Sequence, residues 1–484
     1  MSSNAHENPS ASPSNDSVTP TFAELGVPQA LCAMLTEQGI TAPFPIQAAT
    51  LIDSMSGRDV LGRGRTGSGK TLAFALPVLA RLASSSTQRQ PKAPRALILA
   101  PTRELALQIE ATFAPLAKAL NLRTMSIFGG VNQGPQVTRL RDGVDVVIAC
   151  PGRLEDLLNQ RALTLSLVEI TVLDEADHMA ELGFLPPVTR LMSQTPKTGQ
   201  RMLFSATLDG GVKNIVDRFL TNPVTHSVDS EQSPVSTMEH YVLHVRADDR
   251  FDVLVDLASA PGKVIIFTRM KHRAKQLAKK LNEAGVPAVE MQGNLSQPAR
   301  VKNLAAFAEG RAVAMVATDI AARGIHIDDV RLVIHADPPL EHKAYLHRSG
   351  RTARAGAEGT VVTLAADSER KEVASLTRAA GISPRVSSAR VGDPILQEIA
   401  PGARTLCTPE EIAERFPVAA PQVGSGTRTK PRSDGSGGGK AKASGKRPRP
   451  KNGQRSAGSG RGDSTSAGPG ASASGQRRAP RRPR

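Results

Sequence analysis

The segment Gly64-Arg-Thr-Gly-Ser-Gly69-Lys70-Thr71 fits the spacing G-x-x-x-x-G-K-[ST], a pattern built to bind phosphate. Glycines let successive backbone N–H groups wrap an anion, and a helix opening at the end of the loop aims its positive N-terminus at the same point. An apolar helix is expected from about Leu72. Lys70 would reach the β- and γ-phosphates and the Thr71 hydroxyl would ligate Mg2+, so Gly64, Arg65, Thr66, Gly67, Ser68, Gly69, Lys70 and Thr71 form the expected cradle.

A second piece is the apolar run Ile170-Thr-Val-Leu173 followed by Asp174-Glu175-Ala176-Asp177. A strand ending in acids places carboxylates at the carboxyl edge of a sheet, where open α/β sheets bind ligands. Asp174 suits Mg2+ through water, and Glu175 suits orienting and deprotonating an attacking water. Standing alone, such a cluster is an ordinary helix cap; the phosphate loop upstream turns it into half of a hydrolytic site. The third piece, His347-Arg-Ser-Gly-Arg351-Thr-Ala-Arg354, packs four cationic or titratable side chains into eight residues. They would repel one another unless an anion lay opposite, although a solvated basic turn would also tolerate them. Arg351 and Arg354 read as arginine fingers reaching across a cleft, a contribution of about 10³–10⁵ in rate. One phosphate loop with distant arginines implies a motor that closes on its nucleotide.

Positioning these groups takes alternating strands and helices. Strands are expected at Asp59–Leu61, Arg95–Ala100, Asp145–Cys150, Ile170–Leu173 and Met202–Phe204, with a helix over Glu104–Leu120. The polar stretch near Asp229–Ser236 reads as a linker. The pattern then restarts with strands at Tyr241–Val245, Lys263–Thr268, Ala288–Met291, Ala312–Ala317, Leu332–His335 and Thr360–Leu364. Continuous apolar strands alternating with helices imply parallel sheets covered on both faces. The expected division is 1–20 disordered, 21–49 a lead-in to the cradle, 50–228 a first α/β domain, 229–238 a linker, 239–385 a second α/β domain, 386–420 an ambiguous extension and 421–484 a disordered basic tail.

Composition agrees. Net charge is +16 and pI about 10.1. Residues 421–484 hold sixteen Lys/Arg against Asp434 and Asp463, a net +14, and no aromatic residue. Such a segment cannot offset chain entropy by burial, and its charge density suits a nucleic-acid anchor. Cys32, Cys150 and Cys407 are scattered, which excludes a disulfide framework and a zinc site and fits a reducing compartment. No secretory signal and no membrane-length apolar run is visible, so a cytoplasmic, membrane-free setting is expected.

In this order the motifs resemble those of the DEAD-box RNA helicases of superfamily 2, over about Phe22 to Gly356. Gly39-Ile-Thr-Ala-Pro-Phe-Pro-Ile-Gln47 is similar to the Q motif; the resemblance implies that Gln47 reads adenine and that Phe22 stacks on the base. Gly64–Thr71 is similar to motif I and Asp174–Asp177 to motif II. Ser205-Ala-Thr207 resembles the motif that couples hydrolysis to strand separation. Pro101-Thr102-Arg103-Glu-Leu-Ala106, Gly129-Gly130 and Pro151-Gly-Arg153 resemble the RNA-contacting elements of the first domain. Ile266-Phe-Thr268-Arg269, Gln297-Pro-Ala-Arg300 and Ala317-Thr318-Asp-Ile-Ala-Ala-Arg-Gly324 resemble those of the second.

The resemblance thus implies two tandem RecA-like domains of P-loop type, with ATP and Mg2+ as ligands. It makes Lys70, Asp174, Glu175, Ser205, Thr207, His347, Arg351 and Arg354 catalytic, and it places Thr102, Arg103, Gly129, Gly130, Arg153, Thr268, Arg269, Gln297, Arg300 and Thr318 on RNA. The implied activity is ATP-driven, local unwinding of short RNA duplexes or remodelling of RNA–protein complexes. Few aromatics are present, 12 Phe and 2 Tyr, so RNA would be read by shape and 2′-OH groups rather than sequence. A compact core with a long basic tail looks like bacterial members tied to ribosome assembly, RNA decay or cold growth, so complexes of ribosome assembly or RNA decay are the expected partners; nothing in the sequence demands an oligomer, and a monomer is expected. Three positions depart from the family pattern: Cys150 stands for a usual Thr, Ala353 for a usual Gly, a change that a helical turn there would tolerate, and His326 for an Asp that contacts the ATP ribose.

Overall fold

The computed structural model describes residues 20–64, 67–208, 210–228, 238–322, 324, 327, 329–353 and 358–416. The first seven strands are β1 (Val60–Arg63), β2 (Ala96–Leu99), β3 (Thr124–Ile127), β4 (Val146–Ala149), β5 (Ile170–Asp174), β6 (Gln200–Ser205) and β7 (Val224–Ser227). They form one parallel sheet in the order β3-β4-β2-β5-β6-β1-β7. The next seven are β8 (Met238–His244), β9 (Lys263–Phe267), β10 (Ala288–Met291), β11 (Ala314–Ala317), β12 (Val330–His335), β13 (Gly359–Ala365) and β14 (Arg385–Ser388). Their order, β10-β11-β9-β12-β13-β8-β14, repeats the first topology strand for strand.

The central strands are buried on both faces, and each face has its own core. Ala96 and Ile98 of β2 enter one hydrophobic cluster while Leu97 and Leu99 enter another, as the two-residue period of a strand requires. In the second sheet Val264 and Ile266 of β9 face one core and Ile265 and Phe267 the other. Helices seal these faces, and some of them are capped by a side chain at their start. The helix Arg103–Ala119 begins where the Thr102 side chain accepts from Leu105 N, and Gln297–Ala308 begins where Ser296 accepts from Ala299 N.

Three strands, β3, β7 and β14, lie outside the expected set. All three are sheet edges. Their sequences, Thr-Met-Ser-Ile, Val-Thr-His-Ser and Arg-Val-Ser-Ser, lack the unbroken apolar run that marks a central strand. β14 also carries the second fold past residue 385. It pairs with β8, and the helix Pro394–Ile399 then sets Leu396 and Ile399 into the core. Arg404 closes on Asp256 at 2.8 Å, and the helix Pro409–Arg415 starts from a Thr408/Glu411 capping box. The expected linker falls almost entirely on residues 229–237, outside the described residues, as does the basic tail. Among the described residues no helix is long and apolar enough to cross a membrane, and Cys32, Cys150 and Cys407 are free thiols.

Candidate nucleotide site and interdomain cleft

β1 delivers the chain to Gly64, and the helix Lys70–Ser84 leaves from the loop's far end. Gly67 and Gly69 hold positive φ, +87° and +85°. At Gly69 a Cβ would stand 2.6 Å from both Gln47 Nε2 and the Phe44 ring, so only glycine fits there. Lys70 is buried and donates from Nζ to Gly64 O at 2.7 Å. Thr71 follows it in the first turn of the helix. Ser68 Oγ is buried with no hydrogen-bond partner among the described residues, as a hydroxyl waiting for an anionic oxygen would be. Arg65 and Thr66 lie outside the described residues.

The two residues expected at the base, Gln47 and Phe22, differ in their surroundings. Gln47 Oε1 accepts from Phe44 N at 2.9 Å and its Nε2 donates to Gly69 O at 2.8 Å, so the amide braces the phosphate loop. Phe22 is only 4% exposed and packs in the first hydrophobic core with Leu25, Val27 and Leu31. Its ring therefore offers no open face to a base. The exposed ring beside the loop belongs to Phe44, at 46%.

β5 ends on Asp174, beside Phe204 of β6. Burial pushes the Asp174 carboxyl up to about 7, against the pull of Lys70 and with a further push from Glu175. A carboxylate so poorly solvated, beside a loop with an unsatisfied hydroxyl, fits a divalent cation. Glu175 has φ +51° and ψ +52°, a left-handed conformation that costs a non-glycine residue about 1–2 kcal/mol. Such strain gathers at functional sites. His178 Nδ1 lies 3.1 Å from Glu175 Oε2.

The hydroxyls of Ser205 and Thr207 are committed to Asp177. Ser205 Oγ accepts from Asp177 N at 3.2 Å and donates to Thr207 O at 2.7 Å. Asp177 Oδ2 accepts from Ala206 N (3.1 Å), Thr207 N (2.9 Å) and Thr207 Oγ1 (3.2 Å). These two residues thus tie the β6 turn to the acidic cluster through Asp177.

Across the cleft stands the helix His342–Ser349 of the second domain. Lys70, Glu175, Asp177, His178 and Ala206 line one cavity with His347 and Arg351. His347 Nδ1 lies 3.6 Å from Glu181 Oε1, and Arg351 Nε donates to His347 O at 3.2 Å. The helix is locked from behind. Arg348 is buried, donates to Asp319 Oδ2 (2.8 Å) and Asp337 O (2.7 Å), and stacks over Phe267. Tyr345 sits between His240, 3.1 Å from its hydroxyl, and His335, whose ring meets it edge-on at 4.8 Å. Burial lowers the His240 pKa to about 4 and holds that of His335 well below the ordinary range, so both rings are neutral wedges under the arginine helix. Glu104, Asp177, Asp319 and Arg348 enter the sequence reading only as members of longer motifs, with no role of their own, because their partners lie in other elements; His178 is not singled out at all. Arg354 and His326 lie outside the described residues.

Ala353 does not sit in a helical turn; its φ is +52°. Ala353→Gly is expected to raise stability by up to about 1 kcal/mol, the left-handed cost outweighing glycine's extra freedom in the unfolded chain. Thermal unfolding would report a midpoint about 2–4 °C higher for the transition of the second domain; a lower midpoint would mean that no strain is stored there.

Thr102, Arg103, Gly129, Gly130 and Arg153 converge at the carboxyl ends of β2, β3 and β4. The Arg103 guanidinium lies against Gly130, while Arg103 and Arg153 both approach Gly129. Cys150 precedes the helix Pro151–Asn159 and makes no side-chain cap bond, the role a threonine would fill there. In the second domain Thr268 and Thr318 are buried after β9 and β11. Arg269 donates from N to Asp337 Oδ2 (3.0 Å) and from Nε to Pro338 O (2.7 Å). Gln297 and Arg300 are buried too, and they face the other domain rather than open groove. Arg300 Nε donates to Glu104 Oε1 at 2.7 Å, Gln297 Nε2 donates to the same oxygen at 3.1 Å, and Arg103 Nη1 donates to Gln297 Oε1 at 3.3 Å. Gly324 presses on this contact at φ +70°; a Cβ there would meet Thr102 Oγ1 at 2.2 Å.

Two RecA-like parallel sheets, with a phosphate loop and acidic cluster on one and basic residues on the other facing them, define a two-domain P-loop motor. Residues 44–215 match the family model for DEAD/DEAH box helicases, and residues 249–356 match the helicase conserved C-terminal domain. The chain is 34% identical over 387 residues to the DEAD-box ATP-dependent RNA helicase CshA of Bacillus subtilis, covering 80% of this chain and 76% of that protein. It is 40% identical over 368 residues to the chloroplastic DEAD-box ATP-dependent RNA helicase 3A of Zea mays, covering 74% of this chain and 49% of that one; the chain thus spans about half of such plant relatives. Among solved structures it resembles S. cerevisiae Dbp5 bound to RNA and ADP BeF3, with TM-score 0.68 and 27% identity over 78% of this chain and 98% of that one. It also resembles Mss116p bound to ssRNA and AMP-PNP, with TM-score 0.69 and 27% identity over 83% and 85% of the two chains. This chain belongs to the DEAD-box helicase family.

Proposed function

We propose that this protein is an ATP-dependent RNA helicase that binds single-stranded RNA largely without regard to sequence and opens short duplexes or remodels RNA–protein complexes. The observation that carries this reading is the shared cavity in which Lys70 and Glu175 of one domain face His347 and Arg351 of the other. The RNA-bound and nucleotide-bound states of the structural relatives support it.

We propose the following roles from the chemistry of the residues. Backbone N–H groups of residues 67–71 and the Lys70 ammonium bind and orient the phosphates. Thr71 and Asp174 would hold Mg2+, which supplies charge neutralisation on the phosphate oxygens when bound. Glu175 accepts the proton of the attacking water. Arg351, with Arg354, offsets charge that grows on the transferred phosphoryl group. Because the second domain delivers the arginines, nucleotide favours domain closure. The contacts of Glu104 with Gln297 and Arg300 join the same two domains beside the proposed RNA residues Thr102, Arg103, Gly129, Gly130 and Arg153. Ligands bound on both sides therefore favour one closed state, and their binding is mutually reinforcing.

The test is steady-state ATP turnover alone, with single-stranded RNA and with single-stranded DNA of matched sequence. Stimulation by RNA alone is expected; equal stimulation by DNA would overturn RNA as the specific substrate class.

Deleting residues 421–484 is expected to weaken RNA binding and flatten its salt dependence. Each tail contact with a phosphate contributes roughly 0.7 to the slope of log K against log salt on a single strand, and the segment holds sixteen Lys/Arg. Binding isotherms at several salt concentrations give that slope directly, and an unchanged slope would remove the tail from RNA binding.

A further inference from the structure

We propose that His178 is a positioning residue for ATP hydrolysis: its Nδ1–H donates to Glu175 Oε2 and fixes the carboxylate that receives the proton of the attacking water. The proposal rests on the hydrolysis reading above and names a residue that the motif pattern does not supply.

Glu175 is the residue before the helix Ala176–Glu181, and its left-handed backbone lets the chain turn sharply into that helix. His178 lies on the first turn, three residues on, where one helical turn returns a side chain to the same face. The separation of 3.1 Å between Nδ1 and Oε2 is that of a hydrogen bond. Both residues are buried, His178 at 6% and Glu175 at 7% exposure, so water competes little for the contact. Toward an ionised carboxylate the near nitrogen must be the donor, because two lone pairs would otherwise face each other. In a neutral ring that places the proton on Nδ1 and leaves Nε2 as an acceptor.

The far nitrogen gives the second observation. Nε2 is enclosed and has no hydrogen-bond partner among the described residues. An imidazole kept only to fill space would be a poor choice there, since an unsatisfied buried nitrogen is costly and an apolar side chain of similar size would avoid it. His178, whose Nε2 is the nitrogen left without a partner, lines the cavity that also contains Lys70, Glu175, Asp177, His347 and Arg351. Its lone pair can accept from a donor entering that cavity, and water is the donor the reaction requires. His178 thus connects the general base to the space in which the nucleophile must stand.

A misplacement of about 1 Å at a reacting group costs on the order of 10²-fold in rate. His178→Ala is therefore expected to lower kcat for RNA-stimulated ATP turnover about 10- to 100-fold with KM for ATP nearly unchanged. His178→Asn, whose amide nitrogen can take the place of Nδ1, should restore most of the rate. His178→Gln, whose donor lies further out, should restore little. In a Glu175→Gln background, His178→Ala should leave the residual rate within about twofold, because the group it positions is already lost. Full kcat in His178→Ala, an equal further loss in the Glu175→Gln background, or an equal loss in all three variants with raised KM would each overturn the proposal. Persistence of turnover in Glu175→Gln itself would instead overturn the hydrolysis reading. Abolition there with an unaffected His178→Ala would overturn this inference alone.

Discussion

Glu175→Gln is expected to lower RNA-stimulated ATP turnover by about 10²–10⁴-fold, the range a positioned general base contributes, while ATP and RNA still bind. Glutamine keeps the length and planarity of the side chain. Its amide oxygen can still accept from His178 Nδ1, so the arrangement behind the residue persists. The change removes the capacity to take a proton from water. Lys70, Ser68 and the glycines of the loop are untouched, so nucleotide affinity should stay near that of the parent protein. Single-turnover hydrolysis, run beside equilibrium binding of a non-hydrolysable ATP analogue, separates the two quantities. Turnover at the parent rate with normal binding would exclude Glu175 as the base; loss of rate together with loss of binding would point to a collapsed site.

Arg351→Ala is expected to be at least as damaging, with a fall of about 10³–10⁵ in kcat. Arg351 belongs to the second domain, is buried, and lines the cavity opposite Lys70 and Glu175. Its charge matters most when negative charge has moved onto the transferred phosphoryl oxygens, so its loss should appear in kcat far more than in ATP affinity. Arg351→Lys should recover little, because an ammonium cannot reproduce the planar, multi-donor geometry of a guanidinium. A modest loss in Arg351→Ala, or rescue by lysine, would show that the residue provides general positive potential only. The helix behind it, locked by Arg348, Tyr345 and the neutral His240 and His335, explains how one side chain is held at a domain boundary without sharing the first domain's sheet.

The parts of this molecule that were legible in the amino-acid order are those written in consecutive residues. The phosphate loop is one strand-to-helix junction, and Gly64 to Thr71 state its backbone and its charge together. Asp174 ends a five-residue strand buried along its whole length and Glu175 follows it, so the acids had to emerge at the sheet edge. The central strands were readable because burial on both faces demands unbroken apolar runs. The edges β3, β7 and β14 were not, because a strand with one open side accepts polar residues and then resembles a loop.

Tertiary structure alone decided which groups meet across long separations. Glu104 finds Arg300 across 196 positions, which turns residues expected on RNA into a clamp between domains. Phe22 is enclosed because the lead-in segment packs into the first core, leaving Phe44 as the open ring at the loop. Ala353 is left-handed because the chain must turn there, whatever residue the position holds. His178 meets Glu175 only three residues away, but the significance of the pair comes from the burial of both and from the cavity that Arg351 and His347 complete. Backbone conformation and sheet faces are set by near neighbours and solvent, so sequence determines them locally. The partners of a buried charge are set by the packing of whole domains, which no local pattern encodes.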